Sequence, residues 1–164
     1  MNLFPKTIPI TVLTGFLGSG KTTLLSEFVR SENVNDVAFI INEFGEVGLD
    51  HHLIDSSDET ILELQNGCIC CTIQEDLKST LLSLLTKMEK GLIRKFNRVI
   101  IETTGLADPV PIIHTLMTSI DLVRAYIQDG IITIVDVVNG DQTFNNHSES
   151  IKQVTFADKV ILSK

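Results

Sequence analysis

Ile10-Thr11-Val12-Leu13-Thr14 runs directly into Gly15-Phe16-Leu17-Gly18-Ser19-Gly20-Lys21-Thr22-Thr23, after which Leu24, Leu25, Phe28 and Val29 recur at helical spacing. A β-branched apolar run, a glycine-rich loop and an amphipathic stripe in that order spell strand, loop, helix. Pro9 is tolerated only at a strand's start, so the strand is predicted to begin near Ile10. Glycines let the backbone curl until successive N–H groups point inward, and the helix that follows aims the positive end of its dipole at the same place. The spacing Gly15-x-x-x-x-Gly20-Lys21-Thr22 is that of a P-loop, with Lys21 reaching β- and γ-phosphate oxygens and the Thr22 hydroxyl binding Mg²⁺. An ordinary glycine-rich turn with an incidental lysine is the plain alternative; the strand before and the helix after weigh against it.

Outward from this loop the same alternation continues. Val37 to Ile41 is a continuous apolar run suited to a strand buried on both faces, and Ile61 to Leu64 is a short third strand candidate. Leu77, Leu81, Leu84, Leu85 and Met88 make a helical stripe that Gly91 ends. Arg98 to Ile101 reads as the next strand. Asp108-Pro109 reads as a helix start, with Asp as cap, Pro at the first helical position, and Ile112, Ile113, Leu116 and Met117 inside. Ile131 to Val135 and Val160 to Leu162 complete the set, the last as a core strand. The predicted fold class is α/β, a mostly parallel sheet with helices on both faces and ligands at the carboxyl ends of its strands. Residues 1–164 are expected to form one domain, the front portion of a longer protein, because Lys164 follows a core strand directly.

Composition bounds the function. The 164 residues carry 13 Lys+Arg against 21 Asp+Glu, a formal charge of −8, which disfavours nucleic acid as a partner and requires any phosphate site to be local and built from backbone. Apolar residues are 43% of the chain and charged residues 21%, the balance of a well-buried globular domain. No apolar run approaches the ~18 residues of a membrane span, and Met1 to Lys6 lacks the pattern of a secretory signal, so a cytoplasmic protein without a membrane partner is expected.

Two further features carry chemistry. A P-loop enzyme needs an acid at a strand end for its metal, and Glu102 is preferred to Asp136 because Gly105 follows it at the spacing that offers a backbone N–H to a γ-phosphate. Asp136 is expected to cap its strand or face solvent. All 3 cysteines, Cys68, Cys70 and Cys71, fall within four positions, too close for a disulfide framework and suited to one thiophilic ion such as Zn²⁺. Three sulfurs leave a tetrahedral site one ligand short; water, a partner's ligand, Glu43, Glu46, His51, His52 or His114 are the options. Inert buried thiols or a redox pair are the plainer readings of the triplet. Glu43 and Glu46 lie where switch segments of P-loop proteins sit.

Taken in order, Gly15 to Thr23, Asn42-Glu43-Phe44-Gly45-Glu46, Gly67-Cys68-Ile69-Cys70-Cys71 and Glu102-Thr103-Thr104-Gly105 resemble the CobW-type metallochaperone GTPases. That resemblance covers nearly the whole chain, and the cysteine triplet beside a P-loop is its most specific element. It implies a GTP-hydrolysing protein that delivers zinc or cobalt to a client protein. By resemblance, Gly15, Phe16, Leu17, Gly18, Ser19, Gly20, Lys21, Thr22 and Thr23 bind the phosphates and Thr22 and Glu102 serve Mg²⁺. Gly105 reads the γ-phosphate, and Cys68, Cys70 and Cys71 carry the metal; of the options for the fourth ligand, Glu46 is the one expected beside them. The family's guanine-reading Asn/Ser/Thr-Lys-x-Asp motif is met by Ser163 and Lys164, with the aspartate falling two positions past the last residue.

The resulting expectation is a switch in which Mg²⁺·GTP organises the cysteine site and hydrolysis or partner contact releases the ion. Slow turnover is expected, since no arginine finger is identifiable. A small-molecule kinase with incidental cysteines and a non-hydrolysing metal buffer are the competing readings; the physiological metal, the client and the oligomeric state are not legible.

Overall fold

The computed structural model describes residues 7–30, 36–41, 60–63 and 72–164. Six strands, β1 (Ile8–Gly15), β2 (Val37–Ile41), β3 (Thr60–Glu63), β4 (Arg98–Glu102), β5 (Tyr126–Asp136) and β6 (Lys159–Ser163), form one sheet in the order β3-β2-β4-β1-β5-β6. Every neighbouring pair is parallel. Parallel neighbours need crossovers, and the described ones carry helices α1 (Lys21–Val29), α2 (Thr72–Glu89), α3 (Val110–Thr118), α4 (Ile120–Ala125), α5 (Gly140–Asn146) and α6 (Ser148–Thr155).

The two faces of the sheet follow the two-residue period of its strands. Ile10, Val12, Ala38, Ile40, Val99 and Ile101 point to one side, where Leu77, Leu81 and Leu84 of α2, Ile112 and Leu116 of α3 and Leu122 of α4 cover them. Leu13, Phe39, Ile41 and Ile134 point to the other, against Leu25 and Val29 of α1. Phe28 adds an edge-on contact to Phe39, with ring centroids 6.3 Å apart. The Tyr126 hydroxyl donates to Leu81 O at 2.9 Å, and burial pushes its phenol upward from the ordinary value. Gly91, at φ +67°, closes α2 as the spacing predicts: its N–H donates to Met88 O and that of Leu92 to Lys87 O.

Several boundaries depart from the sequence expectation for identifiable reasons. β1 begins at Ile8, and Pro9 fits inside it because the ladder to β4 starts only at Ile10. β5 begins at Tyr126, five residues ahead of Ile131, and the polar Gln128-Asp129-Gly130 that hides its start is a bulge. There Ile10 faces Gln128 but Thr11 faces Gly130, which takes φ +150°. α3 begins one residue late: Pro109 holds the cap position, while the Asp108 carboxylate still accepts the Val110 amide at 2.9 Å. Met117 was expected inside and stands 66% exposed. β6 was expected in the core; it lies at the sheet edge beside β5, with Leu162 69% exposed.

Candidate nucleotide site

β1 ends at the carboxyl edge of the sheet and turns through the glycine-rich loop into α1. Gly15 takes φ +146°, and a Cβ there would stand 2.4 Å from Ile134 O on β5, so only glycine lets the loop leave the strand this closely. Gly18 and Gly20 also take left-handed φ, +70° and +96°. Gly20 caps α1, so the positive end of the helix dipole faces into the loop. The buried Lys21 donates from Nζ to Gly15 O at 2.8 Å and Phe16 O at 3.2 Å, so its ammonium is folded over the loop's own carbonyls. Ser19 is buried, and its hydroxyl has no hydrogen-bond partner among the described residues. Phe16 is half-buried, and Leu17, Gly18 and Thr23 are exposed.

Beside the loop, the Thr22 hydroxyl donates to Glu102 Oε1 at 3.0 Å, and Glu102 is 1% exposed. Register explains the meeting: Leu13 of β1 faces Glu102 of β4, so the acid ends its strand where the loop begins. A hydroxyl and a carboxylate are the hard oxygen donors Mg²⁺ takes from a protein alongside phosphate and water, so this pair fits the ion. Asp136, at the end of β5, is otherwise engaged. It accepts the amides of Val138 and Asn139, the Asn139 side-chain amide at 2.8 Å and Lys164 Nζ at 2.9 Å. These hydrogen bonds, the one from Asn139 first, hold its carboxyl well below the usual range.

Gly105 lies against the loop, where a Cβ would come within 2.6 Å of Leu17 N. The segment it belongs to is anchored at Thr103, whose amide donates to Leu13 O at 3.0 Å and whose hydroxyl donates to Thr14 Oγ1 at 2.9 Å. From the far side, the Ser163 hydroxyl donates to Ser19 O at 2.7 Å and Lys164 Nζ to Gly18 O at 2.7 Å. Glycine loop, Glu102, Gly105, Ser163 and Lys164 thus converge on one edge. His114 is exposed on α3 and is not among the groups brought together there. Cys68, Cys70, Cys71, Glu43, Glu46, His51 and His52 lie outside the described residues, and among the described residues no cluster of three His, Cys, Asp or Glu side chains could hold a metal ion. No helix among them is long and apolar enough to cross a membrane.

Sequence reasoning missed two residues. His147, between α5 and α6, stacks on Phe16 with ring centroids 4.5 Å apart. Gln153 of α6 is 1% exposed and donates from Nε2 to Gly105 O at 3.1 Å and Ala107 O at 3.0 Å. The buried residues of α6 are Ser150 and Gln153, so its inner face is polar and hydrophobic periodicity has nothing to detect.

Comparison with known proteins agrees with this fold. The zinc chaperone YjiA of Escherichia coli is 45% identical over 157 residues, which are 96% of this chain and 49% of that protein. The zinc-regulated GTPase metalloprotein activator 1 of Schizosaccharomyces pombe is 37% identical over 96% of this chain and 39% of its own length. The chain therefore spans half or less of each of these relatives. Superposed on the crystal structure of Zn(II)-bound YjiA GTPase from E. coli, it gives a TM-score of 0.78 at 36% identity, covering 98% of this chain and 50% of that one. Residues 9–164 match the model of the CobW/HypB/UreG nucleotide-binding domain, and the chain belongs to that family.

Proposed function

We propose that this chain is the nucleotide-binding part of a cytoplasmic, GTP-hydrolysing metallochaperone that carries zinc, or cobalt, to a client protein. The observation that carries the reading is the Thr22–Glu102 hydrogen bond at the mouth of the glycine loop, which pairs two Mg²⁺-type donors beside a phosphate cradle. The loop amides and the start of α1 bind the phosphates. Lys21, whose ammonium donates to the carbonyls of Gly15 and Phe16 in the loop, reaches the β- and γ-phosphate oxygens. Thr22 and Glu102 hold Mg²⁺, which when bound neutralises charge developing on the phosphates. Gly105, pressed against Leu17, offers its N–H to the γ-phosphate, and Ser163 and Lys164 support the loop from the side where the base is read.

The metal is cargo, taken by Cys68, Cys70 and Cys71 with Glu46 as a further ligand. Topology supports coupling between cargo and nucleotide. β3 ends at Glu63 on the carboxyl edge of the sheet, which the glycine loop also occupies, α2 starts at Thr72, and the three cysteines lie between these two elements in the sequence. Zinc titration of the chain with a nonhydrolysable GTP analogue and with GDP tests the reading. Affinity should be at least about fivefold tighter with the analogue, and Cys70→Ser should weaken zinc binding while leaving nucleotide affinity unchanged. Equal zinc affinity in both nucleotide states overturns the coupling, and phosphate transfer to an added metabolite would favour a kinase.

A further inference from the structure

We propose that Gln153 is the positioning residue that sets where Gly105 stands, and so determines how well the site tells a triphosphate from a diphosphate. The inference rests on the reading of Gly105 as the γ-phosphate sensor. Its basis is the way one carboxamide is used. The two hydrogens of Gln153 Nε2 go to two carbonyls of the same loop, Gly105 O at 3.1 Å and Ala107 O at 3.0 Å. A planar NH₂ group that bridges carbonyls two residues apart fixes the orientation of both peptide planes. The loop is tied to β1 at Thr103 and to α6 at residues 105 and 107, so the Gly105 N–H lies in the short span between two anchors.

α6 is itself held in place. The Thr133 hydroxyl on β5 donates to Gln153 O at 2.7 Å, Lys152 Nζ donates to Asp108 Oδ2 at 2.9 Å, and His147, which caps α6, stacks on Phe16 of the glycine loop. One helix and its cap therefore touch both loops that handle phosphate. Packing alone does not account for a glutamine here. Its Oε1 is buried with no partner among the described residues, a cost an apolar side chain would avoid. The residue also lines a small open pocket with Thr143 and Ser150.

The test uses Gln153→Met, which keeps the volume and loses the donors, and Gln153→Asn, which keeps the amide one methylene short. Affinity for GDP and for a nonhydrolysable GTP analogue with Mg²⁺ is measured alongside hydrogen exchange of segment 103–109. In the wild-type chain the analogue should slow exchange of this segment relative to GDP; if it does not, the reading of Gly105 fails and the inference falls with it. Given that protection, both variants should bind GDP within about twofold of wild type, bind the analogue roughly tenfold more weakly, and lose the extra protection. Variants that keep wild-type discrimination and protection overturn the role of Gln153. So do variants that weaken GDP and analogue equally, since that outcome marks a residue needed only for folding.

Discussion

Thr22→Ala removes a hydroxyl that holds a buried carboxyl group. It donates to Glu102 Oε1 at 3.0 Å, and Glu102 is 1% exposed, so water cannot readily replace the lost donor. Leaving a buried acceptor without its donor costs about 1–3 kcal/mol. At roughly 2–4 °C per kcal/mol for a domain of this size, the melting temperature of the nucleotide-free variant should fall by about 2–12 °C. Thr22→Ser restores the hydroxyl and should recover most of the loss. The second measurement is GTP-analogue affinity with Mg²⁺ and with a chelator: wild type and Thr22→Ser should bind more tightly with the ion, and Thr22→Ala should lose that gain. A Thr22→Ala protein that melts within about 1 °C of wild type and keeps its full Mg²⁺ response would refute the pairing of Thr22 with Glu102 as a metal site.

Four other substitutions probe the frame around that pair. Gly15→Ala places a Cβ 2.4 Å from Ile134 O at φ +146°, so it should lower the melting temperature steeply and abolish nucleotide binding. Gly18→Ala meets nothing within 4 Å and should cost only about 1–2 kcal/mol for its left-handed φ; similar melts for the two would contradict the loop geometry. Leu81→Ala empties a site that is 0% exposed between α2 and the sheet and should destabilise by about 2–5 kcal/mol in denaturant titration while leaving nucleotide affinity unchanged. Asp108→Asn tests a pH dependence. Burial pushes the Asp108 carboxyl up, but the Lys152 hydrogen bond, the Val110 amide and the Lys152 charge together hold it below its ordinary value, while Lys152 is raised by Asp108. Stability from Asp108 is therefore fully present above its unfolded value of about 4 and lost as pH falls through the lower folded value. Stability from Lys152 is present below about 10.4 and lost as pH rises through its folded value. Melting curves of Asp108→Asn and wild type should differ at pH 7 and converge near pH 2; a gap that persists there would contradict the ion pair.

What the sequence discloses is what repeats or what only one residue type can do. Leu77, Leu81 and Leu84 reveal α2 because burial selects one helical face, and Val37 to Ile41 reveals β2 because all five residues are buried. The glycine loop is legible because Gly15, Gly18 and Gly20 hold backbone angles that other residues rarely adopt. α5 and α6 escape notice because they are short and the inner side of α6 is Ser150 and Gln153. The start of β5 escapes because Gln128, Asp129 and Gly130 form a bulge, and a bulge breaks the two-residue period that marks a strand. Met117 misleads in the opposite sense: an apolar residue at the right spacing that the helix nevertheless turns outward.

The choice between Glu102 and Asp136 shows where spacing stops and geometry takes over. Both acids end strands that flank β1, one on β4 and one on β5, so both lie at the edge where the glycine loop begins. Spacing to Gly105 favours Glu102, but spacing alone leaves Asp136 in contention. The structure separates them by what surrounds each carboxylate. Asp136 has accepted two backbone amides, a side-chain amide and a lysine, an arrangement that fixes the turn after β5 and draws Lys164 toward Gly18 O. Glu102 accepts a hydroxyl from the first turn of α1, a neutral donor that can rotate and turn its lone pairs to a cation while the carboxylate stays where it is. An acid held by the fixed donors of its own turn supports that turn, whereas an acid paired with the first-turn hydroxyl of α1 lies beside the glycine loop, which is why the proposed Mg²⁺ role goes to Glu102 and not to Asp136.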